Sequence, residues 1–215
     1  MHRDRYSAAG SSESAFQPGS RGRVLANRLG IVHVRDMQQA ESEALLDLLT
    51  ALLDEVTDRQ RFVADDLRDW HRRWLGAIYP WAGEYRQVNI GKGGFQFASA
   101  HLISGLMAGF QRDVLAAHSP CAGMDEMQLA EALAITHAEC ILIHPFREGN
   151  GRLARLLNSL MAFQAGLPAL DYGGIRGIRK QEYIGAIHAA TGGHYAPMQA
   201  VFGAVIRRTM RAVRA

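Results

Sequence analysis

One stretch constrains this chain more than any other: His144 to Arg155, reading His-Pro-Phe-Arg-Glu-Gly-Asn-Gly-Arg-Leu-Ala-Arg. The run before it, Ala130 to Leu142, is apolar and helix-prone, and the run after it, Leu153 to Ala165, carries apolar residues at helical spacing. The pattern predicts a loop that ends one helix and opens another.

The residue types in that loop share a chemistry. Gly149 and Gly151 are predicted to take positive φ, so that successive N–H groups point into one concavity. That concavity lies at a helix N-terminus, where unpaired N–H groups and the helix dipole favour an anion. Asn150 adds a side-chain donor. Arg152 and Arg155, three apart, project from nearly the same helix face and can grip a polyphosphate. Glu148 is a hard oxygen ligand suited to a Mg²⁺ that bridges phosphates. His144 is the one group of the loop that exchanges a proton near pH 7. Together these residues suit transfer of a nucleotide's phosphate group to a hydroxyl. Any one of them alone is more often a turn, a solvated arginine or a satisfied loop histidine, and it is their joint order that carries the signal.

The segment resembles the Fic-domain signature, His-x-Phe-x-(Asp/Glu)-Gly-Asn-Gly-Arg-x-x-Arg, at every defined position. The resemblance runs from about Asn27 to about Phe202. It includes Pro80-Trp81-Ala82-Gly83-Glu84-Tyr85-Arg86 and Gly93-Gly94-Phe95-Gln96-Phe97-Ala98, which are similar to this family's hairpin region. It implies an all-α Fic-like helical domain with a small β-hairpin flap, spanning residues 24–215 after a flexible tail of residues 1–23. It also implies transfer of AMP from ATP to a Tyr, Thr or Ser hydroxyl of a target protein, with Mg²⁺. In that reading His144 takes the hydroxyl proton, Glu148 holds the metal, and Gly149, Asn150 and Gly151 form the anion hole. Arg152 meets the β-phosphate side and Arg155 the γ-phosphate, while Tyr183 approaches adenine. Asn89, Ile90, Gly91 and Lys92 form the flap edge on which the target docks by strand addition.

Many family members carry an inhibitory helix with the pattern (Ser/Thr)-x-x-x-Glu-(Gly/Asn), whose Glu pairs with the second motif arginine. No Ser or Thr of this chain has Glu four residues on. The expectation is a separate antitoxin-like partner that supplies this Glu to Arg155, in a toxin–antitoxin pair, or else a constitutively active enzyme. Two alternatives keep part of this reading: a Fic-fold transferase with another phosphate-containing donor, and a catalytically silent module that binds nucleotide or a partner.

Composition narrows the remaining classes. Net charge is +3, but only Lys92 and Lys180 among the 24 basic residues are lysines. No lysine-rich run or basic and aromatic stripe points to nucleic acid. Cys121 and Cys140 are unclustered thiols that suit a reducing compartment better than a disulfide framework. No apolar run reaches the length of a membrane span, and the first residues lack an apolar signal core. A cytoplasmic protein is expected.

Helices are predicted from Asp36, as N-cap, to Asp54, and over 65–79, where Leu67, Trp70, Trp74 and Ile78 recur at helical spacing. Residues 85–97 read as a hairpin with Gly91, Gly93 and Gly94 at its middle. A further helix over 100–117 is predicted to bury Leu102, Leu106, Phe110 and Val114. Asp125 is expected to cap the helix that leads into the loop, with His137 a packed or surface residue. Helices over 180–190 and 197–213 follow.

Overall fold

The computed structural model describes residue 13 and residues 15–213. The protein is helical: α1 (Val34–Glu55), α2 (Ala64–Leu75), α3 (Ile103–Gly109), α4 (Ala116–His118), α5 (Glu126–Ile143), α6 (Asn150–Gln164), α7 (Ile178–Ala190) and α8 (Ala196–Val213). Among the described residues the one sheet is an antiparallel pair, β1 (Gly91–Lys92) and β2 (Phe95–Gln96). Among the described residues no helix is long and apolar enough to cross a membrane. The chain divides into two compact units. One contains the described residues up to Leu52, Ala64–Ala108 and Ile143–Leu153; the other contains Leu53–Val63, Gly109–Leu142 and the chain from Ala154.

In the first unit α1 buries Met37, Glu41, Leu48 and Leu52, and α2 buries Leu67, Trp70, His71, Trp74 and Leu75. α1 starts two residues before the expected cap, so Asp36 sits in its first turn, where the dipole favours a carboxylate. α2 ends at Leu75, four residues earlier than predicted; Gly76 follows and residues 76–79 wind into a turn closed by Tyr79 N–H on Leu75 O. The hairpin is short because Gly93 and Gly94 both take positive φ and turn the chain in two residues, pairing Lys92 with Phe95. Of the expected tail, residues 1–12 and 14 lie outside the described residues. From Ala15 onward the chain forms a hydrogen-bonded turn with a bridge between Phe16 and Leu25 and a buried Ser20.

In the second unit Asp125 caps α5 reciprocally: its carboxylate accepts the Gln128 N–H while the Gln128 side chain accepts the Asp125 N–H. The segment from Ala100, which belongs to the first unit up to Ala108 and to the second from Gly109, departs from expectation. It is a 3₁₀ turn, then α3, then a π segment Phe110–Leu115, then α4. Ile103, Met107, Phe110 and Leu115 are buried, whereas Leu102 and Leu106 are exposed. The wider π turn carries the inward face to Leu115, where an α-helix would have placed Val114. α7 and α8 bury Ala186, Ile187, Met198, Phe202, Val205 and Ile206.

Candidate active site

α5 ends at Ile143, and His144 then takes φ +53, the left-handed conformation that usually falls to glycine just beyond a helix. Its carbonyl accepts the Arg86 Nε–H at 2.7 Å. The imidazole is buried and lies face to face with Phe97, ring centres 3.7 Å apart at 18°. The hairpin thus reaches His144 through Phe97. Of the predicted flap residues, Ile90 is buried in a small cluster with Val88 and Phe97, and Asn89 accepts the Ala100 N–H. Gly91 and Lys92 form β1.

The loop from Phe146 to Gly149 is held from below. Phe146 is fully buried and stacks on His71 at 4.0 Å. His71 Nδ1 accepts the Gly83 N–H, so Nε2 carries the proton and donates to Glu148 O. Asn150 also works on the loop. Its side chain accepts the Phe146 N–H at 2.8 Å and donates to Phe146 O at 2.7 Å, and it is fully buried. The expected side-chain donor for an anion is therefore a strut of the loop, because a turn this tight leaves the Phe146 peptide no partner in a helix.

Gly149 has φ +84, as predicted for one of the two glycines. Gly151 does not; α6 begins at Asn150, which makes Gly151 its second residue. A Cβ on Gly151 would meet nothing within 4 Å, so its bare backbone leaves the start of α6 open. The first N–H groups of α6 have no acceptor within the helix. Glu148 lies over this end. Its Oε1 accepts the Gly149 N–H at 3.0 Å and faces Arg152 Nη2 at 3.4 Å. A buried carboxylate at the start of α6 fits Mg²⁺, which binds through one or two carboxylates plus substrate phosphates. No group of three metal-binding side chains exists among the described residues.

Arg152 is fixed by residues that the sequence alone did not single out. Its Nη1 pairs with Glu41 at 2.8 Å, and its guanidinium lies over Trp74, 4.7 Å from the ring centre. Glu41 in turn accepts the Tyr79 hydroxyl and, through its carbonyl, the Trp74 indole N–H, each at 2.7 Å. The available signal was a charge at position 41 on the face of α1 that also carries Met37, Leu48 and Leu52.

In the second unit Arg155 lies over the rings of Tyr172, at 5.3 Å, and Tyr183, at 6.0 Å. No carboxylate pairs with it among the described residues. The Tyr183 hydroxyl meets His137 Nε2 at 2.7 Å, and His137 Nδ1 donates to Asn158 Oδ1. The Asn158 amide is oriented by its own bond to Leu133 O. His137 is therefore a packed residue, neutral, with both nitrogens used.

Burial, reinforced by the Arg155 charge, pushes the His137 pKa down to about 4. The unfolded chain takes up a proton near pH 6.5 and the folded chain resists until about pH 4, so stability is lost as pH falls through that window. The shift corresponds to roughly 3 kcal/mol at its limit. Melting temperature is expected to fall between pH 6.5 and 4, and the slope should flatten in His137→Gln; an unchanged slope would show that the proton uptake lies elsewhere.

The profile of the Fic/DOC family matches residues 61–162. Over 152 residues the chain is 31% identical to the probable protein adenylyltransferase Fic of Salmonella typhimurium, which covers 71% of this chain and 74% of that protein. It is 29% identical over 143 residues to the protein adenylyltransferase VbhT of Bartonella schoenbuchensis, covering 66% of this chain but only 30% of VbhT. The crystal structure of BepC from Bartonella tribocorum with bound AMPPNP superposes with a TM-score of 0.68 at 21% identity, covering 84% of this chain and 91% of that one. The fold, the motif and the extent of the Salmonella match agree: this chain belongs to the Fic/DOC family.

Proposed function

We propose that the chain is a protein adenylyltransferase, a nucleotidyltransferase that moves AMP from ATP to a Tyr, Thr or Ser hydroxyl of a target protein, through a Fic-like domain of residues 24–215. The observation that carries the reading is the loop itself: a buried imidazole, an open helix N-terminus and a buried carboxylate within seven residues, 144–150. The names borne by the Salmonella and Bartonella relatives agree with it.

In the proposed reaction His144 accepts the proton of the target hydroxyl as its oxygen attacks the α-phosphorus. The bond from that phosphorus to the α,β-bridging oxygen breaks, and pyrophosphate leaves. Backbone N–H groups at the start of α6 receive the phosphate oxygens, with Asn150 contributing through its backbone. Glu148 is the residue proposed to hold Mg²⁺, which would offset the phosphate charge, and Arg152, with its guanidinium already oriented, faces the β-phosphate. Such transfers depend mostly on positioning and electrostatics. Tyr183 is proposed to border the nucleoside, and the backbone of Asn89–Lys92 to meet the target.

Arg155 is assigned to the γ-phosphate, a role supported by its lack of a carboxylate partner among the described residues. Arg155→Ala is expected to raise KM for ATP by roughly tenfold or more, the loss of about one charge-assisted contact. Unchanged KM and kcat would remove the assignment. The lack of a carboxylate on Arg155 among the described residues leaves room for a separate antitoxin-like partner that supplies a Glu, and the setting proposed is a cytoplasmic toxin.

Incubation of the protein with a bacterial lysate and ATP labelled at the α- or the γ-phosphate separates the donor chemistries. Protein label from the α-position alone establishes AMP transfer. Label from the γ-position, or none with ATP still bound, would refute it in favour of phosphate transfer or a silent binding module.

A further inference from the structure

Arg86 is a buried cation whose side-chain hydrogen bonds, among the described residues, all go to backbone carbonyls. It is 1% exposed. Nε donates to His144 O at 2.7 Å, Nη1 to Val88 O at 2.6 Å, and Nη2 to Ala98 O and, at 3.3 Å, to Ile143 O. Its own backbone N–H donates to Pro145 O at 2.9 Å. Burial pushes its pKa down to about 10, against the pull of Glu13, so the group keeps its charge at neutral pH. Burying a charge without a hydrogen-bonded counter-ion is costly, and here that cost is offset through the carbonyls the guanidinium meets. Burial by itself therefore does not account for an arginine here.

The identity of the four carbonyls does. Val88 and Ala98 are the two feet of the hairpin. Ile143 is the last residue of α5, whose C-terminal carbonyls favour a cation. His144 sits in a left-handed conformation that costs an L-residue about 1–2 kcal/mol. A planar fork of donors can hold all four at fixed mutual angles, which the single ammonium of a lysine cannot. The Phe97 ring, between those feet, lies against the His144 imidazole.

We propose that Arg86 is a positioning residue that ties the hairpin to His144, one guanidinium holding the carbonyls at both feet of the hairpin together with those of Ile143 and His144. The orientation of the imidazole and the placement of the hairpin are then set by the same group. The inference rests on the reading of His144 as the base. A target seated on the hairpin edge would be registered against that base through Arg86, and nucleotide binding would not depend on it.

The test compares Arg86→Lys with wild type for kcat, ATP dissociation constant and melting temperature. A misplacement on the order of 1 Å lowers rate by roughly 10²-fold. Arg86→Lys is expected to lose about that factor in kcat while ATP affinity stays within a few-fold. A folded variant with wild-type kcat overturns the proposal, and so does a parallel loss of kcat, ATP affinity and melting temperature, which is what a merely structural role produces. Should Arg86→Lys not fold, Phe97→Leu probes the other end of the link. A several-fold loss of kcat at unchanged ATP affinity supports it, and unchanged kcat overturns it. His144→Ala in the same assay separates the two readings. If it retains activity, the base assignment fails and the link with it; if it is inactive while Arg86→Lys turns over normally, the link alone fails.

Discussion

Replacing His144 by alanine is expected to abolish detectable AMP transfer while ATP affinity stays within a few-fold of wild type. A positioned general base supplies roughly 10²- to 10⁴-fold, and the other buried imidazole of the first unit, His71, cannot take over. His71 is buried with both ring nitrogens engaged, and burial pushes its pKa down to about 4. ATP affinity should survive because the groups assigned to the phosphates are the N–H groups of α6, Arg152 and Arg155, and Arg152 is fixed by Glu41 and Trp74. The measurement is label transfer from α-labelled ATP beside a calorimetric titration of ATP in both proteins. Wild-type transfer by His144→Ala would remove the base from this site. Loss of ATP binding together with transfer would instead make His144 a structural residue, in keeping with its stack on Phe97.

What could be read from the sequence follows from the range over which each feature is determined. Helices with strong periodicity, such as α2 with Leu67, Trp70 and Trp74, depend on residues three and four apart, and their buried faces were legible. The hairpin was legible from Gly93-Gly94, a local requirement for positive φ. The inward face of residues 100–117 was not: it runs through Ile103 and Met107 rather than Leu102 and Leu106, and a π turn, which no short-range signal announces, then moves it from Val114 to Leu115. The identities of the motif residues were visible, but their working partners were not. Glu41 and Arg86 lie far from the loop in sequence and meet it only through the fold. Asn150 shows the converse. Its residue type suggested a donor for an anion, and only the geometry reveals that its side chain also braces the Phe146 peptide.

The two motif glycines should separate folding from ligand binding. Gly149 has φ +84, and a Cβ there would come within 2.7 and 3.0 Å of the Trp74 ring. That ring cannot readily give way, being held by its N–H on Glu41 O and covered by Arg152. The left-handed conformation costs an alanine about 1–2 kcal/mol, and forcing a methyl into a packed site costs roughly 1–3 kcal/mol more. Gly149→Ala is therefore expected to lose roughly 2–5 kcal/mol, a fall of about 5–20 °C in melting temperature for a chain of this size, and ATP binding with it. Gly151 is the counterpart. It is helical, a Cβ there meets no protein atom within 4 Å, and alanine is a better helix former than glycine by about 0.5–1 kcal/mol. Gly151→Ala should hold or raise the melting temperature and yet weaken ATP binding, because the added methyl occupies space that the proposal gives to phosphate. Thermal melts and ATP titrations of both variants decide the matter. Equal stability loss in the two would contradict the geometry of the loop, and a stable Gly151→Ala with wild-type ATP affinity would mean that the open start of α6 does not receive the nucleotide.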